Sequence, residues 1–249
     1  MRILHVSDLH YSLQQFDWVV GAASEFELLA LAGDYLRVGS VVPLDDQTGT
    51  VLEYLSLLQS VTSIAVCSGN HDLTGPDAGG EQSALWLSKA RAVGIPTDGS
   101  SDMVGDTLVT ICPWWDGPIG RAALVEQLEA DANRRAARWV WVYHWPPLGS
   151  LTSWTGKRDF GDKDLRGWIE EYRPDVVLTG HIHEAPFKPD GSWADRIGGT
   201  WVFNAGHQIG PAPAHIELDF TENTAKWVSL LGTEEFDLSL PAAPERIVF

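Results

Sequence analysis

Basic residues are scarce in this 249-residue sequence, which has 17 Lys and Arg against 34 Asp and Glu and a formal charge of -17. A strongly acidic surface repels nucleic acids and anionic membranes unless a local basic patch overrides it. The sequence contains no run of Lys or Arg that would form such a patch. The composition therefore argues against polyanionic partners, including nucleic acid, and favours a small anionic ligand.

Cysteines and long apolar runs are also few. The two cysteines, Cys67 and Cys112, lie in or beside apolar segments, which predicts buried free thiols rather than a disulfide or a ligand role. No apolar stretch approaches the ~20 residues that span a bilayer. The first residues have the pattern of a strand and not of a signal peptide. We therefore expect a cytoplasmic protein with no membrane partner.

Short segments rich in Val, Ile and Leu alternate with amphipathic segments, which is typical of a layered α/β fold. Early alternation of strand and helix favours parallel strands, and the strand-rich later part favours a second sheet packed on the first. Helices are predicted at residues 14–24, 48–60, 82–92, 121–138 and 164–172. Strands are predicted at residues 3–7, 28–32, 63–67, 107–111, 139–143, 176–179 and 200–204, followed by a hairpin at 215–220 and 225–230.

The domain organisation follows from the absence of internal repeats, low-complexity tracts and linkers. We expect one domain over residues 1–249, in which residues 231–249 form a C-terminal tail packed on the rest. A chain of this length can bury a large core as one α/β domain.

Side chains of the types that bind metals follow five of the predicted strands. In open α/β sheets, ligands bind beyond the carboxyl ends of strands, so we expect these side chains to converge. Carboxylate together with imidazole suits Mn, Fe, Co, Ni or Zn better than Ca or Mg. The residues concerned are Asp8 and His10, then Asp34, then Asn70, His71 and Asp72, then His144, and finally His181 and His183.

The local spacing has a geometric meaning. Asp8 and His10, and likewise His181 and His183, would point to one side if the backbone around them stayed extended. Asp34 is the natural bridge, because one carboxylate can lend an oxygen to each of two ions. Glycines precede Asp34, Asn70 and His181 and would permit tight turns close to the ions.

The motifs D-x-H, G-D, G-N-H-D, an isolated H after a strand, and G-H-x-H occur in this order between residues 8 and 183. In this respect the sequence resembles the calcineurin-like metallophosphoesterases. The resemblance implies an α/β fold, namely a four-layer α/β/β/α sandwich of two packed mixed sheets flanked by helices. It also implies hydrolysis of phosphomonoesters or phosphodiesters of small molecules by a hydroxide that bridges two divalent or trivalent metal ions.

The resemblance further implies a role for each matched residue. His71 would protonate or stabilise the leaving group, and Asp72 would orient its ring. Two departures, Trp145 in place of a second His and Ala205 in place of a proline, are expected at the pocket rim and leave the substrate open. The ions would be held by Asp8, His10, Asp34 and His183 at one site, and by Asp34, Asn70, His144 and His181 at the other.

Several of these roles have alternatives. His71 could instead support Asn70, and Asp72 is as suited to capping its own loop as to orienting His71. His207, three residues after Asn204, could bind substrate with Asn70 and His71, although a surface-loop histidine is the simpler interpretation.

The function also has alternatives. A nuclease of the same superfamily is disfavoured by the acidic composition and the lack of a basic groove. A non-catalytic protein-binding scaffold of the same fold would not need the complete ligand set that this sequence contains. The substrate, the preference for mono- or diesters, the metals bound and the oligomeric state stay open.

Overall fold

Two six-stranded mixed sheets form the centre of the structure, a computed structural model that describes residues 1–134 and 136–244. The first sheet contains, in spatial order, β14 (Gly232–Asp237), β13 (Thr224–Ser229), β12 (His215–Asp219), β1 (Arg2–Val6), β2 (Leu28–Ala32) and β3 (Ser63–Cys67). The second contains β10 (Ala194–Ile197), β11 (Thr200–Asn204), β9 (Val176–Thr179), β8 (Arg138–Val142), β7 (Thr107–Ile111) and β6 (Ser101–Val104).

Helices cover the outer face of each sheet. The first sheet packs against α1 (Leu13–Ala23), α2 (Leu44–Gln59) and α3 (Leu87–Ala92), and the second against α4 (Pro118–Ala132) and α5 (Lys163–Tyr172). A short ribbon of β4 (Gly75–Pro76) and β5 (Gln82–Ser83) lies beside them. The predicted four-layer α/β/β/α sandwich is therefore confirmed.

The central strands are apolar on both faces because each sheet packs against helices on one face and against the other sheet on the opposite face. In β2, Leu28, Ala30 and Ala32 face the second sheet, whereas Leu29 and Leu31 face the helices. Small alanines on the inner face let the two sheets approach closely, and leucines fill the wider gap to the helices. Parallel pairing of β1, β2 and β3, and of β7, β8 and β9, brings their carboxyl ends to one edge of each sheet.

The predicted elements differ from the observed ones mainly at polar edges. The strands β6, β10 and β14 were not expected, because their sequences alternate poorly and are partly exposed. The helix predicted at 82–92 is wrong at its start, where Gln82–Ser83 is a strand and the helix is Leu87–Ala92. The helix predicted at 121–138 ends at Ala132 because residue 138 already begins β8, and residue 135 lies outside the described part.

The segment expected as a tail, residues 231–249, contains the edge strand β14, and residues 245–249 lie outside the described residues. Cys67 and Cys112 are buried free thiols, as predicted. Within the described residues, no helix is both long enough and apolar enough to cross a membrane.

His5 lies between the two sheets and links them. Its side chain is completely buried, and its Nε2–H donates to the Thr179 carbonyl oxygen at 2.8 Å, joining β1 to β9. Burial lowers the pKa of His5 from 6.5 to about 4. Asp8 follows β1 and His181 follows β9, so this hydrogen bond connects the strands that carry candidate ligands.

We expect His5 to make the stability of the fold depend on pH. Between pH 6.5 and about 4 the unfolded chain binds a proton at His5 that the folded chain does not, so stability falls as the pH falls. Between about pH 7.5 and about pH 5 this loss amounts to about 2 kcal/mol. His5→Gln keeps an N–H donor but cannot titrate. Urea unfolding should therefore show a smaller pH-dependent loss in His5→Gln than in the wild type, and equal losses would contradict this role.

Candidate metal centre

Loops that follow β1, β2, β3, β8 and β9 bring the candidate ligands together at one end of the two sheets. Their ligand atoms form two groups, within each of which all atoms lie within 4.8 Å of one another. The carboxylate of Asp34 belongs to both groups, so one side chain reaches both candidate ion positions. The first group is Asp8, His10, Asp34 and His183, and the second is Asp34, His144 and His181.

The backbone of these loops is left-handed at four of the ligand positions. The φ angles are 56° at Asp8, 42° at His10, 58° at Asp34 and 64° at His181. The extended backbone considered for the D-x-H and H-x-H pairs is therefore wrong. Non-glycine residues adopt such angles uncommonly, and clusters of them mark sites where the surrounding structure holds a strained conformation. His181 and His183 belong to different groups, which is the division that the resemblance implied.

Two glycines give the ligands room to converge. Gly33 has a φ of 81°, which suits glycine and turns the chain so that Asp34 points into the site. A side chain at Gly69 would collide with Asp34 Oδ1 and would approach His144 Nε2 to 2.8 Å. Glycine is thus required at the first position by backbone conformation and at the second by lack of space.

Burial and the two carboxylates set the protonation of the cluster. Burial disfavours ionisation of Asp8, but the hydrogen bond with His183 and the neighbouring imidazoles hold its pKa well below the usual value. Burial lowers the pKa of His10 and of His181 to about 4, which leaves both rings neutral and able to donate a lone pair. Burial also lowers the pKa of His144, but Asp34, 3.3 Å away, outweighs it and raises the pKa to about 9.

The donor atoms fit a pair of bound cations. Asn70 Oδ1 is buried and has no hydrogen-bond partner among the described residues, and the buried Nε2 of His144 faces the Asp34 carboxylate at 3.3 Å; both atoms belong to predicted ligands. The Nδ1 atom of His144 lies 2.6 Å from the Ala32 carbonyl oxygen, and that of His10 lies 3.4 Å from the Leu36 carbonyl oxygen. A ring held in this way by Nδ1–H presents the Nε2 lone pair, which is the usual arrangement for a metal-ligating histidine.

Asp72 holds the backbone of the site together and does not orient His71. Its buried carboxylate accepts hydrogen bonds from the backbone N–H groups of Asp34, Tyr35, Leu36 and Gly69 at 2.7–3.2 Å. Nδ1 of His71 has no hydrogen-bond partner in the part of the chain that the structure describes. The expectation that Asp72 orients the His71 ring is corrected, because its oxygens are already committed to the loop after β2. The alternative, capping, describes what it does.

The calcineurin-like phosphoesterase family matches residues 1–185 of the chain, a segment that includes all seven predicted metal ligands. The chain belongs to the calcineurin-like phosphoesterases. No curated protein matches the sequence.

Solved structures share the fold of this phosphoesterase at low sequence identity. The protein TT1561 of Thermus thermophilus is 15% identical, with a TM-score of 0.59 over 95% of this chain and 98% of its own. A dimetal phosphatase from Danio rerio is 10% identical, with a TM-score of 0.61 over 95% and 98%. The purple acid phosphatase PPD1 from yellow lupin seeds is 12% identical, with a TM-score of 0.56 over 94% of this chain and 53% of its own. At these identities the similarity shows the fold.

A groove of about 510 Å³ opens beside the first ligand group of the phosphoesterase. His71 lines it, and its backbone N–H donates to Asp34 Oδ1 at 2.8 Å, so its ring stands next to the ligands with its side chain 34% exposed. His207 also lines the groove, and its Nδ1–H donates to the Asp8 carbonyl oxygen at 2.8 Å. His207 therefore lies on the loop between β11 and β12, but it is half-buried beside the cluster.

Aromatic side chains enclose the second ligand group. The ring of His181 lies 5.4 Å from Trp114, 5.5 Å from Trp145 and 5.8 Å from Phe160, measured between ring centroids. Trp145 is thus part of this wall, as expected of a rim residue. Ala205 is not at the rim, because it is buried in the core between the sheets. The wall packs against the ring of His181, which is half-buried.

Several residues that shape the phosphoesterase site were not found from the sequence. Asn204 was predicted only as the last residue of a strand, yet its buried amide donates to the Thr152 and Ile182 carbonyl oxygens and holds the G-H-x-H loop. Arg37 lines the groove, three residues after Asp34. An arginine so close to a G-D motif in an acidic sequence was the available signal.

Proposed function

We propose that this phosphoesterase is a dinuclear metal-dependent hydrolase of small phosphomonoesters or phosphodiesters. The observation that carries the proposal is the position of Asp34, whose carboxylate lies within reach of both ligand groups. Two groups with a shared acidic ligand suit a pair of neighbouring ions better than two independent ones. Imidazole and carboxylate donors favour Mn, Fe, Zn, Co or Ni. Asp8, His10, Asp34 and His183 would hold one ion, and Asp34, Asn70, His144 and His181 the other.

The side chains of this proposed site have separate tasks. Asp8 and Asp34 supply the negative charge that keeps cations in place, and the neutral imidazoles supply lone pairs. When bound, the two ions would stabilise both the attacking and the departing oxygens of an in-line displacement at phosphorus. His71 reaches the groove without being a ligand, so it is placed to donate a proton to the departing oxygen. His207 and Asn70 would contact the phosphoryl group from the same side.

A metal-reconstituted activity screen tests the proposal. The protein is stripped with a chelator, reloaded with each of the five metals, and offered aryl phosphates, bis-aryl phosphates, cyclic nucleotides and single-stranded DNA. We expect hydrolysis of small esters that chelation abolishes and metal restores, with single-stranded DNA as a poor substrate because of the -17 charge. Preference for DNA would instead support a nuclease. Two bound ions without hydrolysis of any ester would instead support a scaffold.

A further inference from the structure

The groove beside the first ligand group differs in charge from the rest of this acidic protein. None of the residues that line it is an aspartate or a glutamate, although the chain contains 34 of them. The lining contains one arginine, Arg37, together with His10, His71, His183 and His207. A groove without carboxylates next to a cation site attracts anions, while the acidic surface around it repels them.

Arg37 is presented to this groove by a fixed loop. Its backbone N–H donates to Gln47 Oε1 at 2.8 Å, and its carbonyl oxygen accepts from Gln47 Nε2 at 3.2 Å. Gln47 belongs to α2, is buried, and also donates to the Val42 carbonyl oxygen, so it anchors both ends of the loop. The position of Arg37 in space is therefore determined by the core and not by a mobile surface segment.

The guanidinium of Arg37 is available for a ligand. It has no hydrogen bond, ion pair or aromatic partner among residues 1–134 and 136–244, whereas the exposed Arg121 and Arg166 each pair with a carboxylate. Arg37 is also close enough to His207 to act on it: burial and His183 lower the pKa of His207, and the positive charge of Arg37 contributes in the same direction. An unpaired cation thus lies on the same wall as the side chains nearest the metal centre.

We propose that Arg37 binds a second anionic group of the substrate, a carboxylate or a phosphate carried by the alcohol that leaves. This inference rests on the proposed function and names its substrate class: small phosphate esters with an additional negative charge on the leaving group. His71 and Arg37 line the same groove, and the proposed function places His71 at the departing oxygen, so the leaving group would extend along this groove toward Arg37. Arg37 then acts as a specificity-determining residue and has no part in bond cleavage.

Because Arg37 is exposed, its contribution to the binding of a charged ligand should be small. Exposed ion pairs contribute little, so a ligand with the extra charge should bind roughly fivefold more tightly than an uncharged isostere. The test uses two probes of equal shape that cannot be hydrolysed, 4-(phosphonomethyl)benzoate and 4-(phosphonomethyl)benzamide. Their dissociation constants are measured by calorimetry on the manganese-loaded protein for the wild type and for Arg37→Gln. Lys89→Gln removes one exposed positive charge from α3, outside the groove, and serves as the matched control.

We expect the wild type and Lys89→Gln to prefer the benzoate, and Arg37→Gln to bind both probes equally with unchanged affinity for the benzamide. No preference in the wild type, or a preference that survives in Arg37→Gln, would overturn the inference. Equal weakening of both probes in Arg37→Gln would also overturn it, because Arg37 would then bind the phosphonate itself. Steady-state rates with the phosphate esters of 4-hydroxybenzoate and 4-hydroxybenzamide separate this from the proposed function, which survives if either of these esters or any small ester of the metal-reconstituted screen is hydrolysed.

Discussion

Asp34→Asn is expected to abolish most of the activity by weakening both metal sites together. Asp34 contributes to both ligand groups and supplies one of the two carboxylates in the cluster. Changes in residues that merely hydrogen-bond to metal ligands already reduce metal affinity 10–100-fold, so loss of a charged ligand should cost each site roughly 100-fold. At metal concentrations that half-saturate each site of the wild type, each occupancy should fall about 50-fold, so the rate should fall by roughly 2,500-fold, since both ions are required. Calorimetric metal titration and steady-state rates measure the two quantities.

Two comparisons make this prediction specific. His10→Ala removes a ligand from one group only, so it should weaken one ion and leave the affinity of the other within a few-fold. The apo form of Asp34→Asn should be less stable than the apo wild type at neutral pH, because the attraction between Asp34 and His144 outweighs the repulsion from Asp8 and holds the pKa of Asp34 below its usual value. Circular dichroism therefore checks that both variants are folded before metal is added. Full rescue of Asp34→Asn by added metal, with poor rescue of His10→Ala, would show that Asp34 is not the shared ligand.

His71→Ala is expected to slow the hydrolysis of alkyl phosphates far more than that of nitrophenyl phosphates. A nitrophenolate leaves without a proton, but an alkoxide does not, and a general acid typically contributes ~10²–10⁴-fold. We therefore expect a loss in that range for alkyl esters and less than about tenfold for nitrophenyl esters. His71 lines the groove and lies outside the two ligand groups, so metal content should remain near that of the wild type. Rates with both esters and elemental analysis are measured on the same preparations.

Asp72→Asn is the matched control for His71→Ala. The Asp72 carboxylate binds the backbone of residues 34–36 and Gly69, and a neutral amide would leave part of these N–H groups unpaired. It should therefore lower stability and slow both ester types equally, without the leaving-group dependence of His71→Ala. Metal loss and equal slowing of both esters in His71→Ala would mean that His71 only supports Asn70.

Much of the fold could be predicted because the central strands have apolar sequences that are recognisable without knowledge of their neighbours. The strands β2, β3, β7, β9 and β11 match the predicted residues, since mainly apolar runs of four or five residues between polar turns are typical of buried strands. The edge strand β14 could not be predicted. Its sequence, Gly232–Asp237, is largely exposed, and its pairing with β13 depends on the hairpin geometry more than on its own side chains.

The candidate site likewise has features that the sequence predicts and features that it does not. The candidate ligands could be predicted from the sequence because few residue types bind metals and because ligand-binding residues gather at the ends of strands. Adjacent positions in the sequence did not show where each side chain points in the folded protein. Asp72 follows His71 directly, yet the short 3₁₀ turn at Asn70–Asp72 sends its carboxylate into the interior and leaves the His71 ring by the groove. Arg37 was missed for a related reason, because only the folded loop shows that Arg37 lines the groove and that its guanidinium has no partner among the described residues.

The central claim, two ions that share Asp34, is tested most directly by anomalous diffraction from crystals of the manganese-loaded protein. The account predicts two anomalous peaks per chain, about 3.5–4 Å apart. Either the two carboxylate oxygens of Asp34 should each lie within coordinating distance of a different peak, or one of these oxygens should lie within that distance of both peaks. A single peak at full metal occupancy, or two peaks of which one has no contact with Asp34, would contradict it.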